Sequence, residues 1–152
     1  FAPHATSAAV RRGNQGRIIA FRLDGGSVPL PELLGDPPPM AEPPAQTANA
    51  DTIARGMRLF RGSCGFCHVN SPHGMTPDLR RMSADTHRAF DSIVLEGALR
   101  FRGMPQWDDV FSKEDVDAIH AYLIDEGWKA YRAQQVGRPN EPGAVAPAQV
   151  AH

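Results

Sequence analysis

Five consecutive residues, Cys64-Gly65-Phe66-Cys67-His68, carry side chains that can do chemistry together. Two thiols two residues apart, followed at once by an imidazole, form the C-x-x-C-H pattern of a c-type haem attachment site. The thiols add across the two haem vinyl groups as thioethers, and the two-residue spacer suits the separation of those vinyls on one helical turn. The next residue then lies beneath the iron, where imidazole is a good axial ligand. Other uses of the cysteines account for less. A thioredoxin-like pair wants a βαβ setting, which the flanks lack, and it has no use for the His. A structural zinc site wants four Cys or His ligands at paired spacings, and no second pair is present. A disulfide across two residues would be strained. The chain has only these two cysteines, so none is left for a structural disulfide.

With His68 on one axial position, the other decides what the iron can do. Met104 stands out because it sits in Gly103-Met104-Pro105, 36 residues after His68, in a stretch read as a loop between helices. Glycine permits close approach to the porphyrin and proline stiffens the loop around a weak thioether ligand. Met57 falls in the apolar stripe of a helix and reads as core. Met40 lies in a proline-rich stretch, and Met75 and Met82 lie in or beside the loop after His68. His73, His87 and His120 are further candidates for that position but read more simply as surface residues.

Helices must position these groups. Asn49 or Asp51 can cap a first helix in which Ile53, Gly56, Met57 and Phe60 recur at helical spacing towards Cys64. Arg55, Arg58 and Arg61 fall on its other faces and read as solvated. Pro72, Gly74 and Pro77 mark a loop over 69–81. A second helix is expected over 84–96, capped by Ser83 or Asp85, carrying Ala89, Phe90, Ile93 and Val94, and stopped by Gly97. Ser112-Lys113-Glu114-Asp115 resembles a capping box opening a last helix with Val116, Ile119, Tyr122 and Leu123 on its buried face. After Tyr131 the periodicity stops, and 132–152 read as a disordered tail.

The first 48 residues are of another kind. Residues 1–13 carry no pattern. Arg17-Ile18-Ile19-Ala20-Phe21-Arg22-Leu23 alternates as a lone β-strand and Asp24-Gly25 turns it. Such a strand cannot bury its face or pair its edge alone, so it is either part of a small hairpin on the rest of the chain or a strand whose sheet lies in a missing upstream region. Between Pro29 and Pro44 stand seven of the fourteen prolines, expected to form a semi-rigid tether over 29–48. The expected class is therefore all-α: three to four helices over 49–131 around covalent haem c, preceded by a strand segment and a Pro-rich linker. Roughly 80 residues make a thin core, and the haem is its staple, offering apolar surface to Phe60, Leu79, Phe90, Ile93, Val94 and Leu99.

The 152 residues hold 16 basic and 17 acidic side chains, a balance that gives no sign of a nucleic-acid binder. No apolar run is long enough to cross a bilayer, and no signal-peptide pattern is present. The chain opens on Phe1 rather than Met, which suggests a processed product or a piece of a longer protein.

Over 49–131 the pattern resembles a class I cytochrome c. Gly56 and Phe60 look like the glycine and aromatic of its N-terminal helix where that helix crosses the last one, and Tyr122 looks like the matching aromatic. Pro77, in Thr76-Pro77-Asp78-Leu79, resembles the proline whose carbonyl accepts the axial His ring N–H. Met104 resembles the distal ligand, and Arg80 and Trp107 resemble propionate partners. The resemblance thus implies a haem site built from Cys64, Cys67, His68, Pro77, Leu79, Arg80, Met104 and Trp107, with His68 and Met104 on the iron.

A narrower resemblance lies at the front. Gly16-Arg17-Ile18-Ile19-Ala20-Phe21-Arg22-Leu23-Asp24-Gly25 with Leu30-Pro31 is similar to the end of the propeller in quinohaemoprotein alcohol dehydrogenases. In that group a propeller holding pyrroloquinoline quinone (PQQ) and a metal ion is joined by a proline-rich linker to a C-terminal cytochrome c domain. Gly97-Ala98-Leu99-Arg100 through Gly103-Met104-Pro105-Gln106-Trp107 also looks like that group. The implied assignment is 1–28 as the remnant of an upstream β-propeller, with PQQ and Ca2+ outside this sequence. The implied function is electron transfer from reduced PQQ, through a His/Met-ligated haem c, to an external acceptor in the periplasm. That acceptor would be a small redox protein or a quinone-linked chain. The alternative is a free-standing periplasmic cytochrome c carrier, and a five-coordinate, ligand-binding haem is a further class.

Overall fold

The first helix begins where a side chain can replace a missing backbone partner. Asn49 accepts the Thr52 N–H at 2.9 Å, so of the two candidate caps Asn49 is the one used. In the computed structural model, which describes residues 20, 22–27, 31–33, 35, 37–68 and 76–136, helix α1 runs Ala50–Leu59. It widens into one π-helical turn, Phe60–Cys64, where the Gly65 N–H reaches back to the Phe60 carbonyl at 2.8 Å. Such turns occur frequently at functional sites. This one carries α1 directly into the cysteine motif.

A 3₁₀ turn, Leu79–Arg81, follows. The expected second helix is present but broken. Ser83 caps α2, Ala84–Arg88, by accepting the Thr86 N–H, and α3, Phe90–Val94, resumes after Ala89 leaves helical geometry at φ −89°, ψ 7°. Gly97, expected as the stop, adopts φ +69°. Any side chain there would meet Gln106 at 2.9 Å, so the glycine serves both conformation and packing. A second 3₁₀ turn, Arg100–Arg102, ends on Gly103 at φ +91°. The last helix, α4, spans Lys113–Val136. Its start is a reciprocal box: the Asp115 N–H donates to Ser112 Oγ and the Ser112 N–H donates to Asp115 Oδ2, both at 3.2 Å.

The core sits where α1 crosses α4. An added Cβ on Gly56 would lie 1.8 Å from the Ala118 carbonyl oxygen, and the Phe60 and Tyr122 rings meet at 5.5 Å. Val116, Ile119 and Leu123 of α4 join Phe60, Met82, Phe90, Val94 and Phe111 in one buried cluster. The apolar stripe of α4 supplies much of this core, and Met82 and Phe111 join it from outside the helices.

Several expectations need correction. Among the described residues there is no strand. Most of the segment over 17–23 lies outside them, Ala20 and Arg22 are in no regular element, and Leu23 and Asp24 form a turn. The last helix continues through 132–136, so those residues are not tail, whereas 137–152 lie outside the described residues. The described part of 37–48 is irregular, as proline demands, but it is not a free tether. Pro43 is buried, the Trp128 indole N–H donates to the Pro44 carbonyl at 2.8 Å, and Gln46 donates to the Ala121 carbonyl at 2.8 Å. The Met40 N–H meets Gln134 at 2.8 Å, and Arg81 donates to the Pro38 carbonyl. This segment is laid along α4. Arg55 is not simply solvated either, since it pairs with Asp115 at 2.7 Å across the helix crossing.

Candidate haem attachment site

Cys64 and Cys67 are both free thiols. Cys64 ends the π-turn and packs against the buried cluster, while Cys67 is exposed. The tight turn between them is held by the Cys67 and His68 N–H groups, which reach the Cys64 carbonyl at 3.2 and 2.9 Å. Burial first, and then the neighbouring Cys67, pushes the Cys64 thiol up to about 11. A disulfide oxidoreductase needs its attacking thiol shifted the other way. The shift runs against a thiol-exchange role for Cys64.

The chain returns to the motif at 76–81. Thr76 Oγ1 donates to the Cys67 carbonyl, and the Pro77 carbonyl lies 3.3 Å from His68 Nδ1. A carbonyl can only accept, so this contact requires the ring proton on Nδ1 and leaves the Nε2 lone pair for another partner. Among the described residues nothing else is bonded to the ring. An imidazole with one nitrogen tied to a backbone carbonyl and the other free is what a metal-ligating histidine needs.

Asp78 follows directly and is buried, a feature with no local signal in the sequence. It caps the 3₁₀ turn by accepting the Arg80 N–H at 3.1 Å, and it takes a two-pronged contact from Arg80 Nε (2.9 Å) and Nη2 (2.6 Å). Arg80, expected to face a propionate, therefore has two guanidinium nitrogens engaged, and Nη1 is left. The hydrogen bonds that Arg80 donates to Asp78 raise its already high pKa further, although burial opposes the shift.

Leu79, Met104 and Trp107 are each partly buried against the same cluster as Cys64. Two hydrogen bonds close the loop that carries Met104: its N–H to the Leu99 carbonyl at 3.3 Å, and the Trp107 N–H to the Val94 carbonyl at 2.9 Å. Trp107 stacks on Phe111 with ring centroids 5.4 Å apart. Of the other methionines, Met82 is buried in the core, Met57 packs beside it and Met40 lies on α4 through its backbone. Met75 and His73 lie outside the described residues.

His87 and His120 are not surface residues. Their rings are partly buried, Nδ1 of one lies 2.8 Å from Nε2 of the other, and His120 stacks on Phe90 at 4.3 Å. Their spacing on two separate helices hid the pairing. Each is committed to the other and to the core.

The residues present fit covalent haem c. Two unpaired thiols and an imidazole with its Nδ1 held, beside a partly buried apolar cluster, are the groups that attachment and proximal ligation require. The family described as "Cytochrome C oxidase, cbb3-type, subunit III" matches residues 51–123. Quinohemoprotein alcohol dehydrogenase ADH IIB of Pseudomonas putida is 32% identical over 128 residues, 83% of this chain and 19% of that protein. Quinohemoprotein alcohol dehydrogenase ADH-IIG of the same organism is 33% identical over 147 residues, 88% of this chain and 20% of that protein. The solved structure of ADHIIG from Pseudomonas putida HK5 matches with a TM-score of 0.59 at 32% identity, covering 71% of this chain and 16% of that one. The chain thus spans about a fifth of the length of the curated relatives it matches. Among the described residues no helix is long and apolar enough to cross a membrane. Residues 51–123 thus match a cytochrome c family, a match that implies covalent haem c, and the chain is similar to the cytochrome c portion of quinohaemoprotein alcohol dehydrogenases.

Proposed function

We propose that this chain is the electron-transfer domain of a PQQ-dependent quinohaemoprotein alcohol dehydrogenase, working in the periplasm. In this reading residues 1–28 end an upstream propeller that holds PQQ and Ca2+, and the proline-rich 29–48 lead from it to the helical domain, with 37–48 laid on a last helix that continues to Val136. The domain accepts electrons from the reduced quinone and passes them to an external acceptor, a small redox protein or a quinone-linked chain. Similarity to two quinohaemoprotein alcohol dehydrogenases over more than four-fifths of the chain supports it, because the match extends beyond the helical domain.

The observation that carries the electron-transfer reading is the contact between His68 Nδ1 and the Pro77 carbonyl. It orients the ring and makes the free nitrogen a better donor. When bound, haem c supplies a one-electron Fe(III)/Fe(II) couple. Cys64 and Cys67 fix it to the chain, and His68 and Met104 are the axial ligands in this proposal. Met104 offers a soft thioether that favours the reduced state. Gly103, at φ +91°, lets its loop turn sharply just before that ligand. Leu79 and the neighbouring cluster exclude water from one side. Trp107, through its indole N–H, and Arg80, through Nη1, are the donors proposed for the propionates.

The assignment is tested by sequencing the coding DNA immediately upstream of Phe1. In-frame propeller-blade repeats are expected. A start codon followed by a signal peptide would overturn the fusion and leave the domain as a free-standing carrier.

A further inference from the structure

We propose that Asp78 is the residue that positions His68: its buried carboxylate locks the turn whose Pro77 carbonyl holds the imidazole. The inference rests on His68 being an iron ligand and adds a residue with no assigned role at the site. Its basis is the way every acceptor of Asp78 is used. The backbone carbonyl takes the Arg81 N–H at 2.9 Å. Oδ1 takes the Arg80 N–H and Nε, and Oδ2 takes Nη2. The side chain is 2% exposed.

Burying a carboxylate beside a half-buried arginine is a poor way to gain stability, because desolvating the charge offsets the attraction. It is a good way to fix a geometry, because an aspartate fork on its own i+2 arginine and i+2 amide admits few backbone conformations. Pro77 has a fixed φ and sits immediately before that fork. On its other side Thr76 is tied to the Cys67 carbonyl. The Pro77 carbonyl is thus clamped from both neighbours and aimed at His68.

The turn is also anchored to the fold. Leu79 packs on the core, and the Arg80 carbonyl lies against Gly127 of α4, where an added Cβ would come within 3.4 Å of it. Release of Asp78 would therefore free the Pro77 carbonyl without unseating the helices. The His68 Nδ1 contact, already long at 3.3 Å, would weaken first. A weaker hydrogen bond makes the imidazole a poorer donor, which destabilises Fe(III) and raises the reduction potential.

The test uses the haem-loaded chain and reads hydrogen–deuterium exchange of the His68 Nδ1–H by NMR in the reduced state, together with the reduction potential. Asp78→Ala is expected to speed that exchange at least tenfold and to shift the potential upward. Asp78→Asn keeps an oxygen for the Arg80 N–H and should fall between Ala and the parent. A purely electrostatic role would make Asn and Ala alike. Thr76→Val loosens the other side of Pro77 with no change of charge and should move both readouts in the same direction. If Asp78→Ala does not fold, the Asn and Val variants carry the test. Unchanged exchange in variants that keep bound haem would overturn the positioning role. His68→Ala is the separate check: an unaltered haem spectrum in that variant would remove the ligand reading itself.

Discussion

Gly56 of α1 lies so close to Ala118 of α4 that a single methyl group would be placed 1.8 Å from the Ala118 carbonyl oxygen. That atom is helix backbone and cannot swing aside. The two long helices are therefore in backbone contact, and the Phe60–Tyr122 ring pair closes one turn further along. Gly56→Ala should force the helices apart and cost at least about 3 kcal/mol, at the high end for overpacking. By contrast Gly127→Ala meets only Pro43 at 3.3 Å and the Arg80 carbonyl at 3.4 Å, and should cost less than half as much. Denaturant unfolding of the two haem-loaded variants checks the order. Equal effects would mean that the α1–α4 crossing is looser than described.

This crossing was expected from the resemblance of Gly56, Phe60 and Tyr122 to class I cytochromes c, whereas spacing alone gave two amphipathic helices. Helix starts were legible locally, with Asn49 and Ser83 each one of two candidate caps and Ser112 opening the box of the last helix. Asp78, Phe111 and the His87–His120 pair were not. Their environments depend on partners in other elements, and an aspartate in a loop or a histidine on a helix carries no local mark of burial. The strap over 37–48 was missed because proline content announces extended backbone but says nothing of what it lies on.

That strap changes where the domain can be cut. Removing residues 1–36 should leave stability and haem spectrum unchanged. Removing 1–48 should cost about 1–3 kcal/mol, because it deletes the acceptor of the Trp128 indole N–H, the Gln46 bond to Ala121 and the buried Pro43. Trp128 fluorescence should shift to longer wavelength in the shorter chain only. If both truncations unfold at the same denaturant concentration, the segment is a tether after all.

The His87–His120 pair predicts acid sensitivity. Burial lowers both pKa values from the usual 6.5, that of His120 to about 4, with His87 as its second cause. Asp91 of α3 and Asp117 of α4 oppose the shift, while Lys113 adds to it. The folded state holds both rings neutral, so between these pKa values the unfolded chain binds more protons. Stability is fully present above about pH 6.5 and is lost as pH falls towards 4. His120→Gln should flatten the dependence of the urea midpoint on pH within that window, with the haem spectrum intact. A parent slope that survives the substitution would assign it to other groups.

In the proposed ligand set Met104 decides the class of the haem. We expect Met104→Ala to open the sixth position, lower the reduction potential and let the reduced iron bind carbon monoxide readily. The thioether prefers Fe(II), so its loss favours Fe(III) relative to the parent. Met104→His should stay six-coordinate where the loop admits the ring, again at lower potential. Met82→Ala is the core control: Met82 is buried, so it should lose about 2–5 kcal/mol of stability while keeping the ligand field. Met57→Ala, only partly buried, should lose less. The readout is the weak sulfur-to-iron charge-transfer band of the oxidised protein, which needs a bound thioether and is blind to packing. Met104→Ala should abolish that band and the Met57, Met75 and Met82 variants should retain it. Its loss in Met75→Ala, with Met104→Ala unaffected, would move the distal ligand to the segment after His68. The loop closed by Leu99 and Val94 would then have no haem role, and the proposed His68/Met104 ligand set would fall with it.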